Sequence, residues 1–176
     1  MAKTLDENGL MAFAARALSA RALTISELRE KLKRRAAEPS DIDVVVARLK
    51  ESGYLNDQRF AESYASWRRD DGGFGKTRVL RDLMARRVAP AVARKASEKA
   101  FEGADEIAMI EKFLDRKYRG KDLGALLKEE KNLAAAYRKL RMSGFSLSNS
   151  VRVLKRYAEQ AELLEDDETE PLNDHN

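Results

Sequence analysis

The chain is 176 residues long, with 43% hydrophobic and 36% charged residues, enough for one domain or a short array of small units. Three prolines and nine glycines are too few for the many turns of an all-β fold. The lack of cysteine excludes disulfides, thiol nucleophiles and thiolate-built zinc sites, while a formal net charge of +4 leaves an anionic partner open.

Helical spacing begins with Leu10, Phe13, Ala14, Ala17 and Leu18, which share one face. Thr24 and Glu27 have capping-box spacing and open a second helix, with Leu28 and Leu32 as its buried stripe. Pro39 and Ser40 punctuate, and Ser40 with Asp43 forms another N-terminal signature. Ile42, Val45, Val46 and Leu49 make a third stripe, which Gly53 ends. Asn56 or Asp57 can cap the next helix, which carries Phe60, Tyr64 and Trp67 on one face. Asp71-Gly72-Gly73 breaks it, and a helix from about Gly75 to Arg87 follows with Val79, Leu80 and Leu83. Pro90 suits the first turn of a helix reaching about Phe101.

A third round starts near Asp105 with Ile107, Ile110, Leu114 and Tyr118. Gly120 to Gly124 reads as a loop, a long helix runs from about Leu126 to Gly144, and Ser146 caps the last helix, with Val151, Leu154 and Tyr157 inward. From about Leu163 the chain is acidic and aperiodic, a tail read as disordered. The fold reading is therefore all-α. Three tandem three-helix repeats, residues 10–55, 56–103 and 104–162, lie between an N-terminal extension, 1–9, and an acidic tail, 163–176. Repeats with a period of roughly 45–50 residues build elongated, curved arrays, and a single nine-helix globule is the alternative. No stretch approaches the ~18 consecutive apolar residues of a membrane span. The start lacks the apolar run after a basic segment that marks a signal peptide.

The net charge conceals a split. From Glu159 onward there are eight acidic residues and no lysine or arginine, so residues 1–158 carry 34 basic and 22 acidic groups, a net +12. A basic body suggests a polyanion such as nucleic acid or a nucleoprotein, and a solvated charged helix surface is the plainer alternative. The tail is expected either to solubilise the chain or to fold back on the basic face and mimic DNA.

Several segments resemble the RecX family. Ala17-Leu18-Ser19-Ala20-Arg21, then Ser26-Glu27-Leu28 and Leu32, is similar to the opening repeat of that family. Gly53-Tyr54-Leu55-Asn56-Asp57-Gln58-Arg59-Phe60-Ala61 resembles its most recognisable motif, with Asn56 in place of the usual aspartate. Gly75-Lys76-Thr77-Arg78 with Leu83 matches the second repeat loosely. Tyr137 to Ser146 matches the third in degenerate form, with Met142 and Ser143 where two arginines are usual. The likeness covers about residues 10 to 158. It implies three tandem three-helix repeats and a cytoplasmic monomer that does no chemistry. It implies binding in the groove of the RecA filament on single-stranded DNA, with weaker contact to double-stranded DNA. It further implies inhibition of ATP hydrolysis, strand exchange and coprotease activity, and so a place in homologous recombination, DNA repair and the SOS response.

The motif residues Gly53, Tyr54, Leu55, Asp57, Arg59 and Phe60 read as architectural. Gly53 ends one helix, Asn56 or Asp57 starts the next, Tyr54 and Leu55 pack beneath the junction, and Arg59 pairs with a neighbouring carboxylate. Phe60, Tyr64 and Trp67 read as core in preference to a base-stacking platform. Gly73 to Thr77 imitates a phosphate loop, but Asp70 stands where glycine is needed and no strand precedes it. ATP binding is rejected, and no cofactor is expected. The segment reads as a helix start with exposed N–H groups able to meet a phosphate.

The partner-binding candidates are basic: Arg68, Arg69, Lys76, Arg78, Arg81, Arg86, Arg87, Arg138, Lys139, Arg141, Arg152, Lys155 and Arg156, with Lys33, Arg34 and Arg35 as another group. Helix-dipole pairing alone accounts for Lys33–Arg35 and Arg86–Arg87, whereas the density from Arg138 to Arg156 exceeds what capping requires. Catalysis and metal binding find no support, since the single histidine, His175, lies in the tail. The rival readings are a helical DNA-binding protein acting without RecA and an enzyme with an unrecognised carboxylate site.

Overall fold

The structure, a computed structural model, describes residues 4–158 and residue 161. Among these residues there are ten helices, and the sole extended pairing is a parallel bridge between Leu5 and Ala36. The acidic tail expected at 163–176 lies outside the described residues, as do residues 1–3 of the N-terminal extension. The chain divides into two compact units, Met1–Ser66 with Leu80–Ala100, and Trp67–Val79 with Phe101–Asn176.

The first unit opens with α1 (Glu7–Ala20), α2 (Ile25–Lys33) and α3 (Pro39–Glu51). Asp6 starts α1 by accepting the Gly9 N–H at 2.9 Å. The residue before it is pinned to the α2–α3 turn: the Leu5 N–H donates to the Arg35 carbonyl at 2.7 Å, and the Ala37 N–H to the Leu5 carbonyl at 2.9 Å. The predicted stripes converge on one core of Leu10, Ala14, Leu28, Leu32, Ile42, Val45, Val46 and Leu49, joined by Leu23 and Leu55. Each leucine, isoleucine or valine among them stabilises the fold by about 1.5–3 kcal/mol on burial. The Ser40–Asp43 signature does not cap α3. Pro39 occupies the first helical position, where a missing N–H goes unmissed, and Asp43 pairs with Arg29 at 2.7 Å.

Then come α4 (Asp57–Asp70), α5 (Lys76–Ala85) and α6 (Pro90–Phe101). Both α4 and α5 have residues in each unit. Pro90 starts α6 as predicted, and the part of this module in the first unit buries small residues, Ala61, Ala65, Ala93, Ala96 and Ala100, beside Leu83 and Val88.

The second unit contains α7 (Glu106–Lys117), α8 (Leu123–Leu126), α9 (Glu130–Met142) and α10 (Leu147–Leu154). Its core gathers Ile110, Leu114, Leu127, Leu133, Tyr137, Leu140, Phe145, Val151 and Leu154, with Phe113 edge-on to Phe145 at 5.6 Å. The helix predicted from about Leu126 starts later, as α9 at Glu130, and the predicted Gly120–Gly124 loop runs into a single helical turn, α8. Asp122 starts α8 by accepting the Ala125 N–H at 3.1 Å, and the Leu127 N–H, donating to the Leu123 carbonyl, ends it after one turn. The Asn132 amide donates to the Glu129 carboxylate at 2.9 Å and to the Leu126 carbonyl at 3.2 Å, a carbonyl that a continuous helix would pair along its axis.

Candidate functional site

In the first unit the capping box at the start of α2 does two jobs. Thr24 accepts the Glu27 N–H at 3.1 Å, and Glu27 accepts the Thr24 N–H at 3.1 Å. The same Thr24 hydroxyl, fully buried, donates to the Arg86 carbonyl at 3.0 Å. Glu27 takes the Arg86 guanidinium through two hydrogen bonds of 2.8 and 2.9 Å. That guanidinium also lies 4.5 Å from the Phe60 ring centre and 5.3 Å from that of Tyr64, and the two rings stack at 5.7 Å. Arg86 and Glu27 side chains are only 22% and 23% exposed. Burial pushes the Glu27 carboxyl up, but the Arg86 hydrogen bonds and charge outweigh it and hold the group below the usual carboxylate range. Arg86, expected at the partner surface, is thus engaged inside the unit.

The Gly53–Phe60 segment joins α3 to α4, and two of its side chains lie elsewhere than expected. Gly53 has φ +73° and follows α3, Leu55 is buried, and Asn56 caps α4 by accepting the Arg59 N–H at 2.9 Å. Asp57 is freed from capping its own helix and accepts the Ile25 N–H, 2.8 Å away at the start of α2. Burial raises the Asp57 carboxyl above its ordinary range against the pull of that hydrogen bond. Tyr54, expected beneath the junction, is 73% exposed. Arg59 donates to the Gly53 carbonyl at 2.7 Å, because the helix turn brings that carbonyl into reach before any carboxylate.

Beside this lock runs a groove lined by Arg21, Glu30, Lys31, Arg34 and Arg87. Arg87 adopts φ +59°, a strained conformation for a residue with a side chain, and approaches Glu30 at 3.7 Å. Arg21 and Lys31 carried no sequence signal as partners of Arg87, because they come from a different helix pair. Arg81 is exposed.

In the second unit the start of α5 meets the α9–α10 turn. The Gly75 N–H donates to the Ser143 carbonyl at 2.8 Å and the Thr77 N–H to the Gly144 carbonyl at 3.2 Å. Two of the N–H groups expected to donate to a phosphate, those of Gly75 and Thr77, therefore donate to protein carbonyls instead. A Cβ on Gly75 would stand 2.2 Å from the Gly144 carbonyl oxygen, and one on Gly144, whose φ is +90°, would stand 2.2 Å from the Arg78 nitrogen. Two backbones touch here with no room for side chains.

The predicted cations of this unit divide by environment. Arg69 pairs with Asp70 at 2.6 Å, Arg141 donates to the Phe145 carbonyl at 2.8 Å, and Arg156 pairs with Glu111. Arg68 lies over Phe74 at 3.9 Å, and Lys139 lies 5.1 Å from the Tyr118 ring centre. Lys76, Arg138, Lys139, Arg152, Lys155 and Arg156 are exposed, and Arg78 is half-buried. Ser146 caps α10, and Glu106 clamps it by accepting from the Ser146 N–H at 2.8 Å and from the Asn149 amide at 2.6 Å. Phe60 is 9% exposed, whereas Trp67, expected in the core with it and on the same helical face, is 52% exposed. No helix among the described residues is long and apolar enough to cross a membrane.

Helix groups α1–α3, α4–α6 and α7–α10 in succession define a modular, all-helical class of protein. Residues 11–49 match the first three-helix domain of RecX and residues 56–96 the second. The chain is 42% identical over 86 residues to the regulatory protein RecX of Deinococcus radiodurans, a match spanning 48% of this chain but 40% of that protein's length. It is 31% identical over 137 residues to the regulatory protein RecX of Herminiimonas arsenicoxydans, covering 78% of this chain and 85% of that one. The crystal structure of RecX from Lactobacillus salivarius superposes with a TM-score of 0.64 at 17% identity, over 86% of this chain and 96% of that one. The chain belongs to the RecX family of regulatory proteins.

Proposed function

We propose that this chain binds the RecA–single-stranded DNA filament and lowers its ATPase, strand-exchange and coprotease activities, acting as a cytoplasmic monomer without cofactor or chemistry. The observation that supports this, beside family membership, is the exposed charge of the second unit. Lys76, Arg138, Lys139, Arg152, Lys155 and Arg156 face solvent, and no carboxylate interrupts the sequence from Arg138 to Tyr157. Arg68, Arg69, Arg78 and Arg141 belong to the same unit, and the first unit has exposed cations of its own in Arg81 and Arg87. Such cations meet phosphates or acidic protein surface with release of counterions. Inhibition follows if the bound chain favours one filament conformation over those linked to ATP turnover, and contact with more than one RecA subunit raises avidity.

RecA ATPase on single-stranded DNA tests the reading. Rising concentrations of the chain should lower the rate to a plateau. A second reading, DNA binding without RecA, is favoured by the tight α9–α10 turn, which has the form of a helix-turn-helix element. It predicts an unchanged ATPase together with tight, steeply salt-dependent retention of naked duplex in a shift assay.

A further inference from the structure

Within the second unit, aromatic rings and guanidinium groups alternate. The Arg68 guanidinium lies 5.8 Å from the Trp67 ring centre and 3.9 Å from that of Phe74. The Arg78 guanidinium lies 5.7 Å from the Phe74 ring centre, and the same group donates to the Met142 carbonyl at 3.4 Å. Trp67 is half in water, and Lys76, one residue beyond Gly75, is exposed. Core packing thus uses the first ring of the α4 stripe and leaves the last one out, beside a cation.

A half-exposed indole beside Arg68, with Phe74 and Arg78 continuing the alternation, matches a ligand with flat apolar faces joined by negative charges. An acidic peptide satisfies the cations and leaves the ring idle. Duplex DNA keeps its bases stacked on one another, whereas a single strand presents free base faces between phosphates. We propose that Trp67 stacks on an unpaired base of single-stranded nucleic acid while Arg68, Lys76 and Arg78 hold the flanking phosphates. This deepens the filament reading by naming a site, and rests on it only for the nucleic acid being single-stranded.

Trp67 is the single tryptophan of the chain, so tryptophan emission, excited beyond the absorption of the five tyrosines, reports this site alone. The full chain is titrated with oligothymidylate and with an abasic strand of equal length and charge. Oligothymidylate quenches the emission and the abasic strand does not. Trp67→Ala weakens oligothymidylate binding about 5- to 150-fold, the range expected for loss of one stacked base. Trp67→Phe restores most of it, and neither variant changes affinity for the abasic strand. Circular dichroism matching the parent protein confirms that both variants fold. Absence of quenching, equal quenching by both strands, or an unaltered Trp67→Ala affinity overturns the proposal. So does a Trp67→Ala defect confined to RecA-coated strands, which makes the indole a protein contact. Unchanged RecA ATPase with intact oligothymidylate quenching overturns the filament reading and leaves the stacking site standing.

Discussion

Arg86 and Asp57 show how little a residue's charge says about its role before its partners are known. Arg86 is half of a basic pair on paper, yet its guanidinium is held by Glu27 and stacked on Phe60, and its carbonyl receives the Thr24 hydroxyl. Removing it leaves a half-buried carboxylate without its partner, so Arg86→Ala should destabilise the protein by about 2 kcal/mol, read as a lower urea midpoint. The two carboxylates beside it respond to acid with opposite signs. The depressed Glu27 contributes stability that is fully present above its unfolded value and is lost as pH falls through its lower folded value. The raised Asp57 takes its proton more readily in the folded state, so acid relieves its burial and offsets part of that loss. Asp57→Asn keeps an acceptor for the Ile25 N–H and removes the buried charge. It should match or exceed the parent stability at neutral pH and steepen the loss in acid, whereas Asp57→Ala should fall by about 1 kcal/mol.

At the level of helices, what the sequence made legible was local. Thr24 with Glu27, Pro90 and Ser146 mark helix starts through bonds that reach three residues or fewer, and the apolar stripes of α1, α2 and α3 follow from spacing alone. What stayed illegible depends on residues distant in the chain. Arg86 meets Glu27 across 59 positions, and Gly75 meets Gly144 only once α5 and the α9–α10 turn are both folded. The same distinction hid the exposure of Trp67, since one helical face can leave the core before it ends. The glycines give a graded test. Gly53→Ala meets nothing within 4 Å and suffers only its φ of +73°, about 1–2 kcal/mol. Gly144→Ala adds a backbone collision to a φ of +90° and should lose more, on the order of 3 kcal/mol or above. Urea denaturation of the two variants side by side ranks them, and equal losses would remove the close backbone contact from the account.

Across the whole molecule the governing quantity is the imbalance between a body of net +12 and a terminal stretch of eight acidic residues. Opposite charges on one chain attract most at low ionic strength. Deleting the residues after Leu163 should therefore tighten DNA or filament binding at low salt and have little effect at high salt. Equal affinity at both ionic strengths would make that stretch a solubilising segment only. The exposed cations of the second unit are predicted to act on binding and to leave folding untouched, in contrast to Arg86. The most direct measurement is the affinity of the chain for RecA filaments assembled on single-stranded DNA, compared with that of a variant carrying Lys76→Glu, Arg138→Glu, Arg152→Glu and Lys155→Glu. The account predicts saturable binding that the variant loses at unchanged helicity and unchanged urea midpoint. Filament affinity equal in the two proteins, or none in either, would contradict it.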